Sequence, residues 1–173
     1  MRVLPPLRVL LLAVVFCCAG ADRTDGDTGR ADPGQGQLDI RIHPAEGQQT
    51  PPADLILIDP QGRKTGHDPR IDQMFRDIPG SSYETEGIDD DVTGAPGPKT
   101  LIIFLGNALG GEYTLRVVGI ADAAYDLELR GVDRELNPST VRFLDIDIQA
   151  DSDHRYVIQY SAEPGERIEA SRD

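Results

Sequence analysis

The chain has 173 residues and a formal net charge of −13. A charge of this sign repels phosphate backbones and anionic lipid surfaces, which argues against nucleic-acid binding. The length suits one domain, and both cysteines, Cys17 and Cys18, lie before that domain, so its core must hold without disulfide bonds.

The first 21 residues have the three-part pattern of a secretory signal peptide. Arg2 and Arg8 are basic, residues 9–18 are an unbroken apolar run, and small residues lead up to Ala21. The apolar run is about half of the roughly 20 residues needed to span a bilayer. The pattern therefore predicts cleavage after Ala21 and export to the periplasm or the medium, with no integral membrane span left.

The paired cysteines offer an alternative, a lipid anchor at Cys17 or Cys18. Lipid attachment needs a small residue just before the modified cysteine, but Phe16 precedes Cys17, and Cys17 itself precedes Cys18. The sequence therefore favours a cleaved, unlipidated protein.

Composition divides the exported chain into three parts. Residues 22–36 are rich in Gly and Asp with almost nothing apolar, which predicts a flexible linker because such a segment cannot offset its ordering entropy. Residues 37–162 hold the apolar patterns of a domain. Residues 163–173 are polar and are expected to be a disordered tail.

Seven apolar segments in residues 37–162 predict β-strands. Some alternate apolar with polar residues, as in one-faced strands, and two are continuous apolar runs, as in central strands. A change of phase between Phe143 and Leu144 predicts a β-bulge. The segments centre on Ile40, on Ile56, on Ile103, on Leu115, on Leu127, on residues 141–148 and on Ile158.

Turn residues separate most of these segments, and no helical period alternates with them. This spacing is typical of an antiparallel sandwich and not of βαβ units. We therefore expect an all-β protein, a single antiparallel β-sandwich of about seven strands with one long loop. The core is expected to include aliphatic and aromatic residues of these strands, namely Leu55, Leu57, Ile102, Phe104, Tyr113, Leu115, Leu127 and Tyr156.

The long loop, residues 62–98, breaks the rhythm of strands. Loops this long in a compact domain are usually functional or disordered. Ile71, Met74, Phe75 and Ile78 have helical spacing after Pro69, which allows a short helix. The loop either covers one edge or end of the sandwich or binds a partner. In the second case the candidate partner-binding residues are Ile78, Tyr83 and Ile88.

Asp89, Asp90 and Asp91 form a run of three carboxylates in this loop. Hard oxygen ligands on a flexible loop suit Ca²⁺, which takes about six to eight of them. The alternative is that these acids serve only solubility. No EF-hand pattern is present, so the three residues are a candidate calcium site by composition alone.

Catalytic motifs of the common families are missing from the sequence. It has no GxSxG elbow, no phosphate-binding glycine loop and no histidine pair at metal-ligand spacing. We expect a non-catalytic binding or accessory module that acts through a protein or surface partner, without a cofactor other than a possible calcium ion. The alternative is a small exported hydrolase that brings together His67, a loop carboxylate and Ser81 or Ser82.

Short motifs support the first of these classes. Residues 111–117 read G-x-Y-x-L-x-V, residues 57–62 read L-I-D-P-x-G, and Tyr156-x-Ile158-x-Tyr160 closes the series. Together they resemble small bacterial extracellular β-sandwich modules of the pre-peptidase C-terminal domain type. The resemblance implies an accessory or binding module, sometimes stabilised by calcium. Such modules normally accompany a catalytic domain, and this sequence has none.

Overall fold

The computed structural model describes residues 36–87, 89 and 93–173. Within them lie eleven β-strands and no helix, and so no helix that could cross a membrane. The strands are β1 Gln37–Pro44, β2 Ala53–Ile58, β3 Lys64–Asp68, β4 Gln73–Arg76, β5 Ser81–Gly87, β6 Lys99–Leu105, β7 Gly111–Gly119, β8 Ala123–Val132, β9 Pro138–Ile148, β10 Asp153–Tyr160 and β11 Glu169–Arg172.

Two antiparallel sheets pack face to face and form a β-sandwich. Sheet A has the order β5-β6-β1-β8-β9, and sheet B has the order β11-β10-β7-β2-β3-β4. In sheet A, Ile40 of β1 lies between Ile103 of β6 and Leu129 of β8. The predicted all-β antiparallel sandwich is therefore confirmed.

Period-two alternation explains how the core forms, because one face of each strand turns inward. Leu38, Ile40 and Ile42 of β1 are fully buried, and the alternating residues of β7 and β8 pack against them. Burial of this apolar surface is the main force that holds the two sheets together.

The core prediction needs one correction, in β6. Leu101, Ile103 and Leu105 face the sandwich interior, whereas Phe104 is half-buried and Ile102 lies on the opposite face. Ile102 is 3 % exposed there because Arg41 and Glu84 flank it on the neighbouring strands. A continuous apolar run has no alternation, so its sequence does not indicate which face turns inward.

The predicted long loop was wrong for most of residues 62–98, which contain β3, β4 and β5. The predicted helix is also wrong, since Ile71 lies in the β3–β4 turn and Met74 in β4. β4 and β5 are edge strands, which keep one side in water and so show little apolar alternation.

The predicted disordered tail is corrected as well. Ile168 is 5 % exposed and joins the core, and residues 169–172 form β11 beside β10. Arg172 donates a hydrogen bond to Nε2 of His154 at 3.2 Å. The segment is polar, which predicted disorder, but backbone hydrogen bonds can hold a polar strand at the edge of a sheet. The predicted linker, residues 22–36, lies almost wholly outside the described residues.

The predicted β-bulge is confirmed. Leu127 is opposite Phe143, but Tyr125 is opposite Ile146, so β9 has one extra residue in between. Asp145 takes a positive φ of 55° there, and its amide donates to the Asp126 carboxylate at 2.8 Å. The bulge lets both halves of β9 turn their apolar residues inward.

Candidate functional site

The connections between antiparallel strands alternate between the two ends of the sandwich. One end, which we call the Ile120 end, carries the turns after β1, β3, β5, β7 and β9. The opposite end, which we call the Asp133 end, carries the turns after β2, β4, β6, β8 and β10. Asp89, which follows β5, belongs to the Ile120 end.

A carboxylate links the two sheets near the Ile120 end. Asp54 of β2 accepts a hydrogen bond from Nδ1 of His67 on β3 at 2.7 Å, and a short one from the Tyr83 hydroxyl on β5. β2 and β3 belong to sheet B and β5 to sheet A. We call Asp54, His67 and Tyr83 the clasp, because these hydrogen bonds join strands of different sheets.

The clasp places His67 between two carboxylates. Its Nε2 lies 3.2 Å from Oδ1 of Asp72, whose side chain is 98 % exposed. The hydrogen bond to Asp54 raises the pKa of His67 above its ordinary value of 6.5, against a smaller opposing effect of burial. In the protonated ring, both nitrogens donate to carboxylates.

The Tyr83 hydroxyl stays a donor. Burial, followed by the neighbouring Asp54 carboxylate, raises the pKa of Tyr83 far above its ordinary value. A neutral phenol donating to a carboxylate is a fixed contact at any physiological pH. The ring of Tyr83 is therefore held in one position, half-buried against the core.

The serines that the hydrolase alternative requires lie elsewhere. The Ser81 hydroxyl contacts the Thr65 hydroxyl at 2.6 Å and the Ile78 carbonyl at 2.7 Å, and Ser82 donates to Glu84. His67 contacts carboxylates on both sides and neither serine.

A groove of about 290 Å³ opens beside the clasp. Asp54 and Lys99 give it a charged rim, whereas Leu101 and Ile120 give it an apolar lining, and Tyr83 forms part of its wall. Ile120 is 52 % exposed at the β7–β8 turn. The groove thus combines an exposed aliphatic side chain, an immobilised tyrosine and opposite charges.

The predicted partner-binding residues have different positions. Tyr83 lines the groove, but Ile78 is 5 % exposed in the core, so its prediction as a contact residue is wrong: it packs and offers a partner no surface. Ile88 lies outside the described residues.

The calcium prediction rests on residues of which only Asp89 is described, and Asp89 is exposed. Asp90 and Asp91 lie outside the described residues. In the part of the chain that the structure describes, no three His, Cys, Asp or Glu side chains come together as a metal site.

Three residues of this end were not predicted. Asp54 lies between apolar residues, where a buried acid needs a hydrogen-bonding partner. This position was the one feature of the sequence that could have indicated its role. Lys99 and Ile120 flank strands at turns, where charged and apolar residues alike are common. Their convergence depends on the sandwich topology.

Comparison of the chain with protein-family models, with curated proteins and with solved structures gave no match in any of the three.

Proposed function

We propose that the protein is an exported, non-catalytic binding module that engages a protein or surface partner through the groove at the Ile120 end. The observation that carries this proposal is the exposed Ile120 beside the fixed ring of Tyr83. Binding surfaces typically combine an apolar anchor with a polar rim.

The clasp supports the proposal because it makes the groove rigid. Its hydrogen bonds fix the ring of Tyr83 before any partner arrives. A preorganised wall reduces the ordering cost of association. The partner therefore meets a formed site and needs an apolar side chain that fits between Tyr83 and Ile120.

The charges on the rim add specificity. Asp54 and Lys99 carry opposite charges on the same groove. Complementary polar groups on a partner contribute more to orientation and selectivity than to affinity. We infer that the partner presents an apolar side chain flanked by hydrogen-bonding groups.

Two sequence features agree with an exported accessory role. Residues 1–21 have the pattern of a cleaved signal peptide. The resemblance to pre-peptidase C-terminal domains implies binding without catalysis, by analogy of fold. The hydrolase alternative gains no support from the contacts of His67, Ser81 and Ser82.

A quantitative pull-down tests the proposal. The protein from residue 22 onward is the bait, and the fraction outside the cytoplasm of the producing cell is the source of partners. Ile120→Asp is expected to weaken capture of the principal partner about tenfold or more, as for a central interface residue.

Leu136→Asp is the matched control, because Leu136 is also aliphatic and is 62 % exposed at the Asp133 end. This variant should capture the partner like the wild type. Equal capture by Ile120→Asp and wild type, with both variants melting normally, would reject the groove as the binding site.

A further inference from the structure

The outer edge of β9 is unpaired among the described strands. β9 is the longest strand, with 11 residues, and it ends the order of sheet A. Only its start is covered, where the Ile168 amide donates to the Ser139 hydroxyl at 3.0 Å. The stretch from Thr140 to Ile148 therefore presents backbone groups to which another strand can pair.

Apolar residues on the inner face of this stretch are incompletely covered. Val141, Phe143 and Ile146 pack against the core but stay half-buried. Phe143 contacts Tyr156 of β10, with ring centroids 4.9 Å apart. The corresponding edge of sheet B is β11, which has only four residues and covers little of this surface.

The bulge gives the free edge a symmetric pattern. Val141 and Phe143 turn inward before the extra residue, and Ile146 and Ile148 turn inward after it. A strand without the bulge would place these two pairs on opposite faces. With it, the apolar residues are arranged evenly on both sides of the Leu144–Asp145 step.

We propose that β9 pairs with β9 of a second copy of this chain, antiparallel about a two-fold axis at the Leu144–Asp145 step. In this register, Phe143 faces Ile146 of the second copy, and Val141 faces Ile148. The first pair joins two half-buried residues, and the second covers the half-buried Val141, whereas Ile148 is already buried in the single chain. A two-fold axis makes each contact occur twice.

Charge complementarity selects the same register. Arg142 and Asp147 both lie on the outer face of β9, where Arg142 is paired with Glu128 at 2.7 Å. The two-fold register places Arg142 of each chain opposite Asp147 of the other. Opposite charges directly across two strands stabilise the pairing, and like charges oppose it.

The occupant is therefore a copy of the chain itself. An unrelated strand would fit the backbone edge, but it has no reason to match the apolar pattern and both charges. The dimer is distinct from the groove at the Ile120 end, because β9 pairs along the side of the sandwich.

Sedimentation velocity at physiological ionic strength over a wide range of protein concentration tests the dimer. The wild type should show a monomer–dimer equilibrium. Arg142→Asp replaces two attractive pairs with two repulsive ones, so its dissociation constant should rise about tenfold or more. Asp147→Arg should have a similar effect, and the double variant R142D/D147R should restore dimerisation.

Arg130→Asp is the control, since it makes the same charge change on β8, which is paired on both sides. It should dimerise like the wild type. A wild type that stays monomeric, an Arg142→Asp effect no larger than that of Arg130→Asp, or a double variant without recovery would each overturn the proposal. The single variant Asp147→Arg keeps the test decisive if Arg142→Asp does not fold. None of these outcomes bears on partner capture at Ile120.

Discussion

Removal of the Asp54 carboxylate tests the clasp. Asp54→Ala deletes the acceptor for His67 on one strand and for Tyr83 on another. A hydrogen bond with one charged partner contributes about 1.5–3 kcal/mol. The Asp54 side chain is 15 % exposed, so water replaces part of what is lost. We expect a loss of about 2–4 kcal/mol, which is a large part of a typical domain's stability.

Urea denaturation, followed by circular dichroism, measures this loss as a shift of the unfolding midpoint. Asp72→Asn is the matched control, because it removes the carboxylate charge beside the same histidine at a site that is 98 % exposed, and Asn tolerates the positive φ of 50° at this position. Its midpoint should stay near that of the wild type, since exposed ion pairs contribute little. Similar losses in both variants would refute the clasp as the link between the sheets.

Three further predictions concern His67, the two faces of β6 and residues 89–91. The pKa of His67 is raised on folding, so the stabilisation that protonated His67 gives the folded protein is complete below about pH 6.5 and is lost as the pH rises through the pKa of the folded state. In urea titrations, His67→Gln should therefore lose less stability than the wild type between neutral and alkaline pH. Ile103→Ala should lower the free energy of unfolding by about 2–5 kcal/mol, whereas Ile102→Ala, on the outer face, should lower it by about 1–2 kcal/mol. Melting temperatures should rise equally in Ca²⁺ and in Na⁺ of matched ionic strength if residues 89–91 serve solubility, and a larger rise in Ca²⁺ that Asn substitutions abolish would establish the calcium site.

The sequence predicted the central strands well, because burial leaves a pattern in them. Leu55, Tyr113 and Leu127 alternate with polar residues or lie in apolar runs, and all three are fully buried. The phase change near Phe143 was sufficient to predict the bulge. These features are local, so a single segment of sequence contains all the information needed.

The edge strands could not be predicted in the same way. β4 and β11 have four residues each, and each is held by backbone hydrogen bonds to the strand that precedes it, β3 or β10. The helical spacing of Ile71 and Met74 arose from a hairpin. Short polar strands form because a neighbouring strand presents an edge, which is a property of the assembled sheet.

The candidate site depends on the topology even more strongly. Asp54, His67 and Tyr83 come from three strands of two sheets, and no sequence spacing relates them. From the sequence, Tyr83 is a candidate partner-binding residue within residues 62–98, and this role stays a prediction. The sequence could not indicate that Lys99 and Ile120 would share a groove with Tyr83.

Site-specific photo-crosslinking in the producing cell tests the central claim most directly, because it asks which end of the sandwich a partner touches. A photoreactive residue replaces Ile120 in one variant and Leu136 in a second, at the opposite end. A crosslinked product with another protein or surface component is expected from position 120 and none from position 136. The same product from both positions, or a product from position 136 alone, would contradict it.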